Sequence, residues 1–222
     1  MKSRVAPGDD AGQLRSITKS GLRLHGCPLI VIALCIAAAV ARADESIPAG
    51  KMAVLKFEPN TTEIDYSLNG WPHHTQGSFK LRRGVIYIDP TNGRIDGEII
   101  VDAASGNSNE SARDARMRSS ILETSRFPDI IFRPMTADGS AKLAGDFKAD
   151  VSGIMLLHGR SHMMSVVALI GRDGDLVHIE SEFEIPFVAW GLEDPSILML
   201  RVDKEVHIKV IATPRLSWIA RK

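Results

Sequence analysis

The 222-residue sequence has little cysteine and no excess of charge of either sign. Its two cysteines, Cys27 and Cys35, are too few for a disulfide-rich scaffold or a four-cysteine zinc site. Its 27 basic and 27 acidic side chains give a formal net charge of zero, which excludes the basic surface that binding to nucleic acid requires. A hydrophobic content of 44% indicates a globular protein rather than a disordered chain. We therefore predict a folded protein with no nucleic-acid partner.

The sequence also lacks the common motifs of enzyme active sites. It contains no Gly-x-Ser-x-Gly, His-Glu-x-x-His or Gly-x-Gly-x-x-Gly motif and no phosphate-binding loop that ends in Gly-Lys-Ser/Thr. Residues 89–98 carry acidic side chains, but their spacing departs from that of a calcium loop and favours a hairpin turn. We predict a protein that is not an enzyme and that uses no cofactor.

The histidines are not grouped as a metal site requires. His158 and His162 lie four residues apart across a Gly-Arg-Ser turn, which is not the spacing of a zinc-binding helix. We predict no metal site, and we expect these two side chains to form hydrogen bonds in a hairpin or a cavity.

The one long apolar run, residues 27–41, lies near the N-terminus. It follows the basic residues Lys19 and Arg23, and the small residues Ala41 and Ala43 fit a cleavage site. The run is shorter than the ~20 residues that a membrane-spanning helix needs. We predict a cleaved signal peptide, with an uncleaved membrane anchor as the alternative.

Cleavage would divide the chain into a signal peptide, residues 1–43, and a mature domain, residues 44–222. Both cysteines leave with the signal peptide, and the mature domain has four more acidic than basic side chains. An acidic mature domain does not favour docking on anionic lipid headgroups. We expect a periplasmic or secreted protein without stable membrane insertion.

The mature domain has repeated alternation of apolar and polar residues. The alternation is clearest where Val177, Ile179, Phe183 and Ile185 share one face of a strand. Such a pattern predicts antiparallel strands with one buried and one solvated face. Strand-length runs lie near residues 53–58, 62–68, 77–88, 94–102, 129–134, 143–157, 163–170, 176–185 and 205–212.

One segment, near residues 111–125, has the pattern of a short helix. Ser111 and Asp114 have the spacing of a capping box. Met117 and Ile121 lie four residues apart and would share one face. We predict a single helix of about three turns, with Asp114 at its N-terminus.

Eight to ten antiparallel strands and one helix must close into a barrel or pack as a sandwich to protect the sheet edges. A closed barrel of about eight strands is wide enough for its own side chains or for one small ligand. The alternation alone favours a packed core but does not decide the question. The predicted fold class is therefore all-β, with about eight antiparallel strands and one short helix.

Three segments carry a recognisable pattern. Residues 101–132 run from Asp-Ala-Ala-Ser-Gly through the pair Arg113-Asp114 to Phe-Pro and a strand that contains Phe132. Residues 153–162 form the next hairpin, and residues 185–208 form two strands and their joining loop.

This pattern strongly resembles the signature of the YceI-like family of lipid- and polyisoprenoid-binding proteins. The resemblance spans about residues 53–213, although Trp190-Gly191 stands where many members have Asp-Phe-Gly. It implies an extended, lipocalin-like barrel with a long apolar tunnel, in a periplasmic protein that holds a polyisoprenoid or a quinone-like lipid. The alternative is a secreted stress-related or interaction module whose barrel is filled by its own side chains. A homodimer is compatible with either interpretation.

The candidate ligand-binding residues are the apolar side chains expected to face the barrel interior. They are Phe57, Ile64, Tyr66, Leu68, Phe79, Ile99, Val101, Met117, Ile121, Leu122, Phe127, Phe132, Phe147, Val151, Leu156, Val167, Leu169, Ile179, Phe183 and Trp190. The candidate polar gate consists of Arg113, Asp114, His158 and His162. For Arg113 and Asp114 a structural role, in which Asp114 caps the helix and Arg113 pairs with a carboxylate, is the alternative.

Overall fold

A computed structural model describes residues 49–71, 74–138, 145–196 and 201–221. The predicted signal peptide lies outside these ranges. The strands are β1 (Lys51–Phe57), β2 (Thr62–Leu68), β3 (Gly70–Trp71), β4 (Thr75–Asp89), β5 (Arg94–Asn107), β6 (Asp129–Asp138), β7 (Phe147–Leu157), β8 (Arg160–Asp173), β9 (Leu176–Ile185), β10 (Arg201–Val202), β11 (Val206–Ala212) and β12 (Arg215–Ala220). The helix α1 (Ser111–Arg116) continues into a π-helical turn, Met117–Ile121.

Eight of these strands close into an antiparallel barrel. In order around the barrel they are β9, β11, β2, β4, β5, β6, β7 and β8, and β8 pairs with β9 to complete the ring. Closure removes the free edges of the sheet. The predicted fold class, an eight-stranded antiparallel barrel with one short helix, is confirmed.

The strands β1 and β12 extend the barrel wall at one end. β1 pairs with β4 beyond the part that β2 occupies, and β12 pairs with β1. The pairs Lys56↔Arg215 and Thr62↔Ala212 follow each other, so the ladder continues across two short interruptions. One interruption is the 3-10 turn Pro59–Thr61 and the other contains Pro214. β12 is not among the predicted strands, because it is short and directly follows a proline.

The predicted hairpin at residues 89–98 joins β4 to β5. The Asp89 carboxylate accepts hydrogen bonds from the Thr91 hydroxyl (2.7 Å) and amide (3.0 Å), and these lower the pKa of Asp89. Arg221 also donates to Asp89 at 2.6 Å. These contacts show a structural role for Asp89 in holding the C-terminal strand against the turn.

Alternation assigns the buried face correctly on β9, where Val177, Ser181 and Ile185 are buried. It fails on β8. Val167 and Leu169, predicted to face the interior, are 37% and 54% exposed on the outer surface. Residues 166–170 are apolar on both faces of the strand, so their pattern does not indicate which side chains face the interior. A shift of one residue in the assignment moves every side chain to the opposite face.

The facing of Leu156 is wrong for the same reason. It lies in the apolar run Ile154–Leu157, and its neighbours Met155 and Leu157 are the buried residues. Leu156 pairs with Ile131 and Ser161 on the outer face of the sheet.

The predicted helix is present but less regular than expected. After α1, the Leu122 amide donates to the Met117 carbonyl at 2.8 Å, which is the π-helical spacing. The predicted capping box is wrong, because the N-cap residue is Glu110 and its carboxylate accepts from the Ala112 amide. Within the described ranges, no helix is long and apolar enough to cross a membrane.

Candidate functional site

The barrel encloses an apolar cavity of about 240 Å³, the inner chamber. Of the described residues that line it, only Thr62 and Ser181 are polar, and none is charged. The Ser181 hydroxyl donates to the Val167 carbonyl at 2.8 Å, so its proton is not available to a ligand. The lining residues are Leu55, Phe57, Thr62, Ile64, Phe79, Ile86, Ile88, Ile95, Ile99, Val101, Ile130, Phe132, Pro134, Ala137, Phe147, Ala149, Val151, Met155, Val166, Ala168, Ile170, Val177, Ile179, Ser181, Phe183, Ile185, Ile208, Val210 and Ala212.

A second cavity, the outer chamber, lies between the helix, the ends of β2 and β11, and the loop that follows β9. Its volume is about 310 Å³. Its lining is mainly apolar but includes two cationic side chains, Arg113 and Arg116, and polar residues such as Asn69 and Thr75. The lining residues are Tyr66, Leu68, Asn69, Gly70, Thr75, Phe79, Arg113, Arg116, Met117, Ile121, Leu122, Ile130, Leu157, Ile185, Phe187, Leu192, Pro195, Val202, Val206 and Ile208.

The two chambers adjoin. Phe79, Ile130, Ile185 and Ile208 line both of them and therefore lie at their boundary. We call the two adjoining chambers together the tunnel; it is almost purely apolar at one end and carries positive charge at the other. Such a site can hold a long apolar chain, with a polar group in the outer chamber.

Residues 108–114 connect the helix to the wall of the outer chamber. The buried Asp114 carboxylate accepts hydrogen bonds from the amide (2.8 Å) and hydroxyl (2.7 Å) of Ser108. Burial raises the pKa of the Tyr66 hydroxyl, and the nearby Asp114 charge raises it further, so Tyr66 is neutral at ordinary pH.

The predicted pair Arg113-Asp114 thus has two different roles. Asp114 is structural, since it fixes the loop before the helix, but it does not cap the helix as predicted. Arg113 lines the outer chamber, and no ion pair of its guanidinium is found in the described part of the chain. Arg116, in contrast, lies 3.6 Å from the Glu193 carboxylate.

Comparison with known proteins agrees with this architecture. The YceI-like domain family matches residues 55–213, which is most of the chain. The chain belongs to the YceI-like family. The resemblance that the sequence motifs indicate is therefore confirmed.

Two solved structures share the fold of this YceI-like protein. One is Burkholderia cenocepacia BcnA, with a TM-score of 0.58 and 13% identity over 71% of this chain and 98% of that one. The other is a polyisoprenoid binding domain from Saccharophagus degradans, with a TM-score of 0.58 and 15% identity over 74% of this chain and 98% of that one. A search of curated proteins finds no match.

Fifteen of the twenty candidate residues line the tunnel. Those in the inner chamber are Phe57, Ile64, Phe79, Ile99, Val101, Phe132, Phe147, Val151, Ile179 and Phe183. Those in the outer chamber alone are Tyr66, Leu68, Met117, Ile121 and Leu122. Their contact with a ligand stays a prediction.

The other five candidates lie outside both chambers. Leu156, Val167 and Leu169 are on the outer face of the sheet, as described above. Phe127 packs against His158 with ring centroids 4.5 Å apart, and Trp190 stacks on His162 at 4.1 Å. Phe127 and Trp190 are therefore packing residues around the β7–β8 hairpin, because aromatic rings favour such ring-to-ring contacts.

The two histidines do not form the predicted gate or the predicted hydrogen bonds. Neither lines a chamber, and the buried Nε2 atoms of His158 and His162 have no hydrogen-bond partner in the part of the chain that the structure describes. The His158 Nε2 atom lies 3.8 Å from a Glu123 carboxylate oxygen. Among the described residues, no three histidine, cysteine or acidic side chains are grouped as a metal site requires.

Protonation of His162 is expected to destabilise the fold at mildly acidic pH. Burial lowers the pKa of His162 below its ordinary 6.5, and the charge of Arg160 lowers it further. The folded state therefore binds this proton less readily than the unfolded state. The contribution of neutral His162 to the stability of the fold is complete above pH 6.5, and it is lost as the pH falls from 6.5 through the folded-state pKa.

The test compares urea midpoints at about pH 7.5 and pH 5.5. In His162→Phe, which keeps an aromatic ring beside Trp190, we expect a smaller loss of stability on acidification than in the wild type. The control is His178→Asn, on the exposed face of β9, which should keep the full loss. An unchanged loss in His162→Phe would contradict this assignment.

Several tunnel residues were missed by the sequence analysis. Val166, Ala168 and Ile170 were missed because the inward face of β8 was assigned to the wrong residues. Phe187 and Leu192 lie in the loop after β9, where no periodicity marks a buried face. Only their apolar character could have indicated them, and that signal does not separate a tunnel wall from a packed loop.

Proposed function

We propose that this YceI-like protein binds a long-chain polyisoprenoid or a similar lipid inside its barrel and acts as a non-enzymatic carrier or store. The observation that carries the proposal is the two-chamber tunnel. The inner chamber has no charged side chain among its described lining residues, and the outer chamber has two arginines.

The inner chamber suits an apolar chain in length and chemistry. Its lining on β9 runs from Val177 to Ile185, which is about 27 Å along a strand. Burial of each methylene group contributes about 0.8 kcal/mol. A long chain therefore gains affinity from its length without any polar contact, and its polar group lies best in the outer chamber near Arg113.

The comparisons support this proposal at the level of the family. The Saccharophagus degradans domain that shares the fold is described as polyisoprenoid binding. The predicted signal peptide, residues 1–43, is consistent with it as well. A long apolar lipid has negligible solubility in the aqueous space outside the cytoplasmic membrane, so an exported carrier has a physical purpose there.

Extraction of the purified protein tests the proposal. The protein is purified without detergent from its native host, extracted with organic solvent and analysed by mass spectrometry. We expect about one apolar lipid per chain. After removal of the lipid under denaturing conditions and refolding, the protein should bind an added polyprenol.

The proposal is contradicted if the native protein contains no lipid and the refolded protein binds none. The barrel would then be a secreted interaction module, filled by its own side chains.

A further inference from the structure

Four side chains line both chambers and therefore form the boundary between them. Three of them, Ile130, Ile185 and Ile208, lie on β6, β9 and β11. Isoleucine is branched at Cβ and is therefore stiff about its first torsion angle. Phe79, on β4, is the largest of the four and the only one without this restriction.

The ring of Phe79 lies in a defined slot. It contacts the ring of Tyr66, with centroids 5.3 Å apart and planes at 47°. It also lies against Gly106, where a Cβ atom would be only 2.7 Å from the Phe79 Cε1 atom. The methyl group of Met117, in the π-helical turn, also lies against Gly106. Because glycine has no Cβ atom, position 106 leaves room for the Phe79 ring at the boundary.

Movement of the Phe79 ring breaks no polar contact. The ring is only partly buried, and both chambers beside it are lined mainly by apolar side chains. Rotation about its first torsion angle would carry the ring out of the slot. The three isoleucines have no equivalent freedom.

We propose that Phe79 is the residue that selects ligands by chain length. A short-chain lipid fits in the outer chamber while the ring stays in place. A long chain reaches the inner chamber only when the ring leaves its slot, and it then gains the whole apolar surface of that chamber. This inference rests on the proposed function and adds that the physiological ligand is a chain long enough to pass Phe79 and fill both chambers.

The experiment compares a short prenol, farnesol, with a long prenol, solanesol, each delivered from cyclodextrin to the lipid-free protein. Association rates and affinities are measured for the wild type, Phe79→Trp, Phe79→Leu and Phe79→Ala. The matched control is Tyr87→Leu, at an aromatic residue of the same strand that lines neither chamber. Circular dichroism establishes that each variant is folded, and Phe79→Leu provides the test if the tryptophan variant is not.

We expect Phe79→Trp to slow the association of solanesol by about tenfold or more, and Phe79→Leu and Phe79→Ala to speed it. All three variants should change the affinity for farnesol by less than about threefold. Tyr87→Leu should leave the association rate of solanesol close to that of the wild type.

The selection by Phe79 is overturned if the Phe79 variants change the binding of both prenols equally, or change neither, while the wild type binds both. That outcome leaves the lipid-carrier function intact. A wild-type protein that binds neither prenol overturns the proposed function, and the role of Phe79 with it.

Discussion

Replacement of Val166 by tryptophan is expected to abolish the binding of a long-chain lipid and to leave the barrel folded. Val166 lines the inner chamber from β8. A tryptophan side chain there would occupy space that the lipid needs. The neighbouring residue Val167 is 37% exposed on the outer face of the same strand. Val167→Trp is therefore a matched control that adds the same bulk outside the barrel.

The same variant tests whether the barrel is hollow. In a tightly packed core, an inserted large side chain would destabilise the protein by about 1–3 kcal/mol. In a tunnel, the new ring enters vacant space, so the urea midpoint of the lipid-free protein should change little. Lipid content by mass spectrometry and midpoints of unfolding are measured for both variants. Strong destabilisation by Val166→Trp with unchanged lipid content would show a packed barrel and contradict the carrier function.

The contrast between these two valines also shows what the sequence could predict. On β9 and β11 polar and apolar residues alternate, and the predicted faces agree with the burial. On β8 the run Val166–Ile170 is apolar on both faces, so the inward residues are fixed only by pairing with β7 and β9. Local alternation records the face of a strand only where the outer face is polar.

The outer chamber was the less predictable part of the site. Met117 and Ile121 were found because they share the face of a helix. Phe187 and Leu192 come from a loop, and Arg113, which was named only through the resemblance to the family, lines the chamber together with Arg116 of the same helix. These positions depend on tertiary structure, for which a single sequence carries no periodic signal.

The alternation of apolar and polar residues could not predict that the barrel contains a cavity. An inward apolar residue looks the same in a packed core and at a tunnel wall. The difference lies in how far opposite walls of the closed barrel stand apart, which depends on the number of strands and their stagger. The motifs of the YceI-like family supplied that information, since they imply a hollow barrel.

A buried charge at Val177 is expected to have the largest effect on stability. Val177 is 1% exposed, and no charged residue is found among the described residues that line the chamber around it. An aspartate there would be desolvated without a partner, and full burial can raise a carboxyl pKa by about 3–5 units. At 1.36 kcal/mol per unit, the cost at neutral pH is about 4–7 kcal/mol, which is comparable with the whole stability of a typical domain.

The matched control is Leu176→Asp, which places the same side chain one residue away. Leu176 is 39% exposed, so its replacement should cost less than about 1 kcal/mol. Urea midpoints and circular dichroism of both variants are measured at about pH 7.5 and pH 4.5.

The cost of the buried aspartate depends on pH in a definite direction. In Val177→Asp the folded-state pKa lies above the unfolded value, so the cost is greatest above the folded-state pKa. It decreases as the pH falls through that value, because the buried carboxyl group becomes neutral. Relative to the wild type at each pH, Val177→Asp should therefore recover stability on acidification, and Leu176→Asp should not. Equal destabilisation by the two variants, without such recovery, would show that Val177 does not face the interior of the barrel.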